Sequence, residues 1–152
     1  GHLVFSTLHT NDAAGAATRL LDMGVEPFLI ASSVEGVMAQ RLVRRVCDQC
    51  SQPHQPAPGE LPADFGAGEA TLRKGVGCRN CRGTGYRGRV GLYELFHLSP
   101  ETRELIMNRA DASKLTDAAI RTKHLSLLKY DGYAKVKLGL TTMEEVGGAL
   151  VV

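Results

Sequence analysis

No run of apolar residues in this chain approaches the roughly 20 needed to cross a bilayer, so nothing in it reads as a membrane span. The opening residues, "GHLVFSTLHTND", lack the basic start and long apolar stretch of a secretory signal. An initiator Met is also missing and the chain opens inside an apolar, strand-like run, so it reads as a piece of a longer protein. No overall charge excess names a partner: 18 basic against 16 acidic side chains leave a net charge of +2. Beyond two cysteine pairs there is no internal repeat, and there is no low-complexity tract. What is present is the composition of a globular protein. Apolar residues make up 43% and charged residues 22% of 152 positions, enough to bury a core in one domain or two small ones. Charge is uneven locally, with seven arginines in "RLVRRVC" and "CRNCRGTGYRGR".

Residues 3–8, "LVFSTL", form a short apolar run with β-branched and aromatic content, which predicts a buried strand. Asn11 and Asp12 then cap a helix, "AAGAATRLLDM", that stops at Gly24. Pro27 suits the first turn of a second helix running through "FLIASSVEGVMA". "QRLVRRV" follows as a strand with a basic face, and this β-α-α-β order suits the late part of an α/β sheet. Residues 47–91 hold most of the prolines and many glycines, and read as a loop-rich insertion. "RVGLYELFHL" predicts a returning strand and the remainder a small helical bundle. Its starts are Ser99 with Pro100, Asp111 or Ser113, and Thr141 or Thr142, with a stop at Gly139.

Every cysteine in the chain falls in one pattern, C-x2-C-x27-C-x2-C, made by Cys47, Cys50, Cys78 and Cys81. Two residues between cysteines let both sulfurs of a tight turn point at one ion. Two such knuckles complete the tetrahedral thiolate shell that zinc prefers, with no position open for water, so the site is structural. Glycines at Gly75, Gly77, Gly83 and Gly85 suit backbone that turns tightly around sulfur. Disulfides fit less well, since neighbouring cysteines staple little and no secretory signal is present. A thioredoxin-type redox site is disfavoured because neither C-x-x-C lies between a strand and a helix. "CRNCRGTG" also satisfies C-x-x-C-x-G-x-G, the zinc repeat of the J-domain co-chaperones. That family uses four repeats and "CDQCSQPH" does not follow the pattern, so the match reports knuckle geometry only.

His2 and His9 flank the first predicted strand. Thr7, His9, Thr10 and Asn11 form a run of hydrogen-bonding groups where a strand leaves a sheet, the end at which α/β folds bind ligands. A bound phosphate or water suits them; a polar cap on a strand end suits them as well, and spacing alone favours the cap. His54, His97 and His124 have no partner pattern and read as exposed or packing residues. Arg79, Arg82, Arg87 and Arg89 beside a knuckle could face nucleic acid phosphates. Only Tyr86 interleaves with them and the net charge is nearly balanced, so a solvated face is the favoured reading.

Residues 1–50 together strongly resemble the secretion ATPases that power type II secretion and type IV pilus assembly. The resemblance continues through "GCRNCRGTGYRGRVGLYELF" to "GLTTMEEV", with residues 51–74 its least distinctive part. "GHLVFSTLHTN" resembles the family's histidine box, with His2 and His9 at its two histidine positions. "AQRLVRR" resembles the segment that closes the ATPase core. The double C-x-x-C corresponds to the tetracysteine metal-binding subdomain, which retraction motors of the family generally lack.

The resemblance implies an α/β fold: the C-terminal part of a P-loop (RecA-like) NTPase core in residues 1–46. A tetracysteine zinc loop in 47–91 follows, and then a returning strand with a C-terminal helical subdomain in 92–152. It implies a cytoplasmic homo-hexamer at the inner membrane, working with platform proteins of the secretion or pilus machine. Direct nucleic acid binding is not expected. His9 would sense the γ-phosphate of ATP, supported by His2, with Thr7, Thr10 and Asn11 near the nucleotide. The chain has no G-x-x-x-x-G-K-[ST] loop and no acidic Mg²⁺-binding box, elements that the family carries upstream. ATP and Mg²⁺ therefore belong to the full-length protein, and these 152 residues alone are expected to be inactive. The competing expectation is a free-standing zinc-ribbon module that binds nucleic acid or protein.

Overall fold

The computed structural model describes residues 2–10, 12–66 and 72–150. It is a mixed α/β chain whose contacts gather into two compact units. The first unit is Gly1–Ala39 with Glu94–Ser126, and the second is Gln40–Tyr93 with Leu127–Val152. Two long strands, β1 (Gly36–Val46) and β4 (Tyr86–His97), run from one unit into the other. With β5 (Leu125–Ser126) they form a sheet in the order β1-β4-β5. A separate antiparallel ribbon pairs β2 (Ser51–Pro53) with β3 (Arg73–Gly75), setting Gln52 opposite Lys74. Among the described residues no helix is long and apolar enough to cross a membrane.

In the first unit four helices gather around one core: α1 (Ala14–Asp22), α2 (Pro27–Ser33), α3 (Pro100–Met107) and α4 (Ala112–Arg121). The core holds Ala17, Leu21 and Ile30 with Phe96, Ile106 and Leu115. Side-chain caps start α1, α3 and α4. The Asp12 carboxylate accepts the Gly15 N–H at 2.6 Å, and buried Glu94 accepts the Ala13 N–H at 2.9 Å. Two carboxylates thus meet free amides at the positive end of α1. Ser99 and Thr102 cap α3 reciprocally, with Pro100 at its first position, and Asp111 caps α4 through the Lys114 N–H. β4 and β5 pair with Phe96 opposite Leu125.

The second unit packs α5 (Leu128–Lys137) and α6 (Met143–Leu150) around Val43, Phe65, Leu72, Leu92, Tyr133, Val136 and Val146. α5 and α6 meet closely at Gly132, where a Cβ would stand 2.6 Å from Val146 Cγ1. The end of β1 is fastened to the start of α6. Arg44 donates from its Nε at 3.0 Å and from its terminal nitrogen at 2.6 Å to one Glu145 oxygen, while its backbone N–H reaches the other at 2.9 Å. The same guanidinium lies 4.3 Å from the centroid of the Tyr86 ring, and the Tyr86 hydroxyl meets Thr142 Oγ1 at 2.9 Å. The Thr141 hydroxyl donates to the Arg44 carbonyl at 2.8 Å, and the Val46 N–H to the Leu140 carbonyl at 3.0 Å.

Four expectations need correction. Residues 3–8 are not a strand: Leu3, Val4 and Phe5 are 77%, 78% and 89% exposed and carry no regular structure. A strand exists by pairing its backbone with a neighbour, and no described residue offers one to this segment. The second helix ends at Ser33, because the chain turns extended at Val34 and enters β1 ten residues before that strand's end at Val46. The C-terminal tail is not one bundle, since α3 and α4 belong to the first unit and α5 and α6 to the second. The tail also contains β5, a pair of residues too short to show a period.

Gly132→Ala is expected to destabilise the protein by about 1–3 kcal/mol through overpacking against Val146. Gly147→Ala, in α6 with open space around it, is expected to stabilise it by about 0.5 kcal/mol. Thermal melts of the two variants check this; a shift in the same direction for both would contradict the packing. Arg44 holds the Glu145 carboxyl below the usual carboxylate range, against the effect of burial. A depressed carboxyl stabilises the fold above its unfolded value of about 4.3, and that contribution is lost as pH falls through the folded value. The melting-temperature gap between wild type and Glu145→Gln should therefore be largest near neutral pH and shrink under acid. A gap independent of pH would count against the pairing.

Candidate metal centre

Both cysteine pairs sit where a strand gives way to a turn. Cys47 follows the last residue of β1, and Cys50 closes the turn ahead of β2. Cys78 precedes a short 3-10 turn, Arg79–Cys81, and the chain then reaches β4 through Gly85. Backbone bonds register the two knuckles against each other: the Cys47 N–H donates to the Gly85 carbonyl at 2.9 Å, and the Val76 N–H to the Cys50 carbonyl at 3.1 Å. Gly85 has φ +78°, and a Cβ on Gly75 would overlap its carbonyl. Glycine is thus required on both sides of this approach.

The four sulfurs all lie within 4.8 Å of one another. Cys47 to Cys78 is 3.9 Å, Cys50 to Cys81 3.8 Å and Cys78 to Cys81 3.7 Å. These separations are far beyond the ~2.05 Å of a disulfide. They match the edge of a tetrahedron whose centre lies ~2.3 Å from each sulfur, about 3.8 Å, which is the size of a metal thiolate shell. Cys47, Cys50 and Cys81 are 0%, 9% and 6% exposed, and Cys78 is half-buried. These four cysteines can hold a metal ion.

The surroundings favour charge on particular sulfurs. Burial pushes the Cys81 thiol up, but the N–H groups of Cys78 and Gly85, at 3.2 and 3.3 Å, and the neighbouring thiols outweigh it and bring it down to about 6. Burial likewise opposes ionisation of Cys47, yet the Gln49 N–H, the Asn80 amide and the thiols of Cys50 and Cys78 lower it on balance. Cys50 is pushed up to about 12, chiefly by burial, with the other three thiols adding to it. Four sulfurs this close together cannot all carry charge unaided, and a divalent cation at their centre removes that conflict. Asn80 and the Gly85 N–H were not visible as participants in the sequence; a glycine after a knuckle was the one available signal.

The histidine-box residues lie ahead of α1. His2, Thr7 and His9 are exposed on the segment before α1, and Thr10 is half-buried with its hydroxyl donating to the Asp12 carbonyl at 3.0 Å. Asn11 lies outside the described residues. His54 is half-buried and hydrogen-bonded to Glu60 at 2.7 Å, while His97 and His124 stack with ring centroids 5.7 Å apart.

Elemental analysis is expected to find about one metal ion per chain, since ligand binding and folding are linked at such sites. Cys78→Ser should lose that ion and melt well below wild type, whereas Arg79→Ser, one residue away and exposed, should keep both. Equal melting temperatures for the two variants would contradict a metal-dependent fold.

The model of the type II/IV secretion system protein family matches residues 1–148. The type IV pilus assembly ATPase PilB of Myxococcus xanthus is 45% identical, over 97% of this chain and 27% of the relative. The PilB of Thermus thermophilus is 46% identical, over 96% of this chain and 17% of the relative. The type II secretion system protein E of Pectobacterium carotovorum subsp. carotovorum is 49% identical, over 96% and 29% respectively. The chain thus spans well under a third of the length of these relatives. With the match running through the strands, the four cysteines and the last helix, this chain belongs to the type II/IV secretion system protein family.

Proposed function

We propose that this chain is the C-terminal part of an ATPase that powers type II secretion or type IV pilus assembly, with a structural zinc ion held by Cys47, Cys50, Cys78 and Cys81. The observation that carries this reading is the family match over residues 1–148, to relatives named for both processes. Zinc is favoured by the donor set, since four thiolates at tetrahedral spacing suit it and hard cations prefer oxygen. When bound, the ion would supply folding energy and no chemistry, because four protein ligands close its shell. Its work is to close the excursion between β1 and β4.

In this reading the longer protein is a P-loop (RecA-like) enzyme, and a phosphate loop and acidic box outside these 152 residues hold ATP and Mg²⁺. The segment before α1 would join that core, placing His9 near the γ-phosphate, with His2 shaping the approach and Thr7, Thr10 and Asn11 close to the nucleotide. Exposure of Leu3, Val4 and Phe5 in the chain alone supports this, since an apolar run of strand-forming residues gains by pairing. The working form would be a cytoplasmic homo-hexamer against the inner membrane, engaged with platform proteins of the secretion or pilus machine.

Phosphate release from ATP tests the reading. The full-length protein should hydrolyse ATP with Mg²⁺, residues 1–152 alone should not, and His9→Ala in the full-length protein should cost roughly 100-fold in turnover, as for one lost donor to developing charge. Turnover by the isolated 152 residues, or none by the full-length protein, would overturn it.

A further inference from the structure

Between Leu72 and Tyr93 the chain carries five arginines, one lysine and no acidic residue. Arg73 is engaged, its Nε donating to the Ser51 hydroxyl at 2.6 Å. Arg79, Arg82, Arg87 and Arg89 are exposed, and among the described residues no guanidinium of the four has a hydrogen-bond or ion-pair partner. The other arrangement prevails nearby: Arg44 pairs with Glu145, Arg45 with Asp48, Lys129 with Asp64 and Lys135 with Asp131. The free four lie on well-fastened backbone. Arg79 and Arg82 flank Cys81 in the second knuckle, with Arg82 held at φ 55°, and Arg87 and Arg89 open β4. Lys74 is not part of this set, since its charge is felt by the Glu60 carboxyl and it lines a cavity with Glu60 and Glu144.

We infer that Arg79, Arg82, Arg87 and Arg89 form a preorganised docking surface for a carboxylate-rich segment of a partner protein. The arginines are not there to balance the sulfurs, whose donors are the amides of Cys78, Gly85 and Asn80. Single-stranded nucleic acid is bound by stacking bases on aromatic rings. The lone aromatic among these residues, Tyr86, already has Arg44 on its ring and Thr142 on its hydroxyl. A membrane surface reads positive charge without preferring arginine and is held by inserted apolar groups. Here arginine outnumbers lysine, and Val76 alone among the large exposed apolar side chains lies in the basic stretch before Tyr93. Planar guanidinium forks on a rigid turn match carboxylates two bonds at a time, and rigidity lowers the ordering cost of binding. This inference stands apart from the proposed ATPase.

The test is fluorescence anisotropy of a fluorescein-labelled octaglutamate peptide with metal-loaded residues 1–152. Salt is held at about 50 mM, low enough that exposed charges are felt. Binding should fall roughly tenfold or more when all four arginines become Gln, since each exposed pair contributes modestly and four are lost together. It should also fall several-fold when all four become Lys. Arg19→Gln, Arg109→Gln and Lys123→Gln combined should leave it unchanged. If the four-fold variants lose metal, Arg87→Gln with Arg89→Gln on β4 carries the comparison. Equal binding by the Lys set would mean that only charge is read, and would overturn the proposal. Failure of the wild type to bind the peptide would overturn it too, whether or not the protein sediments with phosphatidylglycerol vesicles or retains labelled RNA.

Discussion

Four sulfurs gathered within 4.8 Å impose the constraint on which the second unit depends. The loop between the two cysteine pairs holds 27 residues, and its ends are brought together at an entropic cost that grows only slowly with length. Neither knuckle has an apolar interior that would hold it closed; the sulfurs are the interior. The end of β1 and the start of β4 both run into this cluster, through Cys47 and Gly85, so the course of the two longest strands is set at the same point. Glycine at 75 and 85 follows from it, because two backbones must pass at a separation that leaves no room for a Cβ.

The cluster does not stand alone. Arg44, three residues before Cys47, and Tyr86, one residue after Gly85, both reach the turn that starts α6. Arg44 is shared between a carboxylate and an aromatic face, which uses both the charge and the planarity of the guanidinium. The spacer is fastened as well. Asp64 accepts from Lys129 and from the Tyr133 hydroxyl, and Phe65 lies 5.2 Å from the Tyr133 ring. A stretch that reads as plain loop therefore supplies Leu72 and Phe65 to a core built with α5 and α6. Arg44, Lys129 and Lys135 in this unit are satisfied by such partners, whereas Arg79, Arg82, Arg87 and Arg89 around the second knuckle are exposed and unpaired among the described residues.

Legibility in the sequence followed distance along the chain. Asp12, Ser99 and Asp111 were identifiable as helix starts because a cap acts within three residues of itself. α1 and α5 stop two residues before Gly24 and Gly139, as a glycine at a helix end predicts. The cysteines were readable for the same reason, since a C-x-x-C turn is local and the count of four completes a shell. The pairing of Arg44 with Glu145 was not readable, because the partners lie 101 residues apart and each looks like an ordinary surface charge. Residues 3–8 mark the opposite failure. Their composition calls for a strand, but a strand is a relation between two segments and cannot be read from one.

The sequence by itself determined the four-cysteine set, the capped helix starts and, through the order of its motifs, the family. These rest on short-range chemistry: side chains that bond their own backbone, and thiol spacings that only a turn can produce. The tertiary structure alone decided that the sulfurs close to tetrahedral spacing, that the spacer enters a core, and that each compact unit is assembled from two separate stretches of chain. It also decided which arginines are satisfied and which are not. Those outcomes depend on contacts between residues far apart in sequence, where a side chain's identity states what it can do and only its neighbours state what it does.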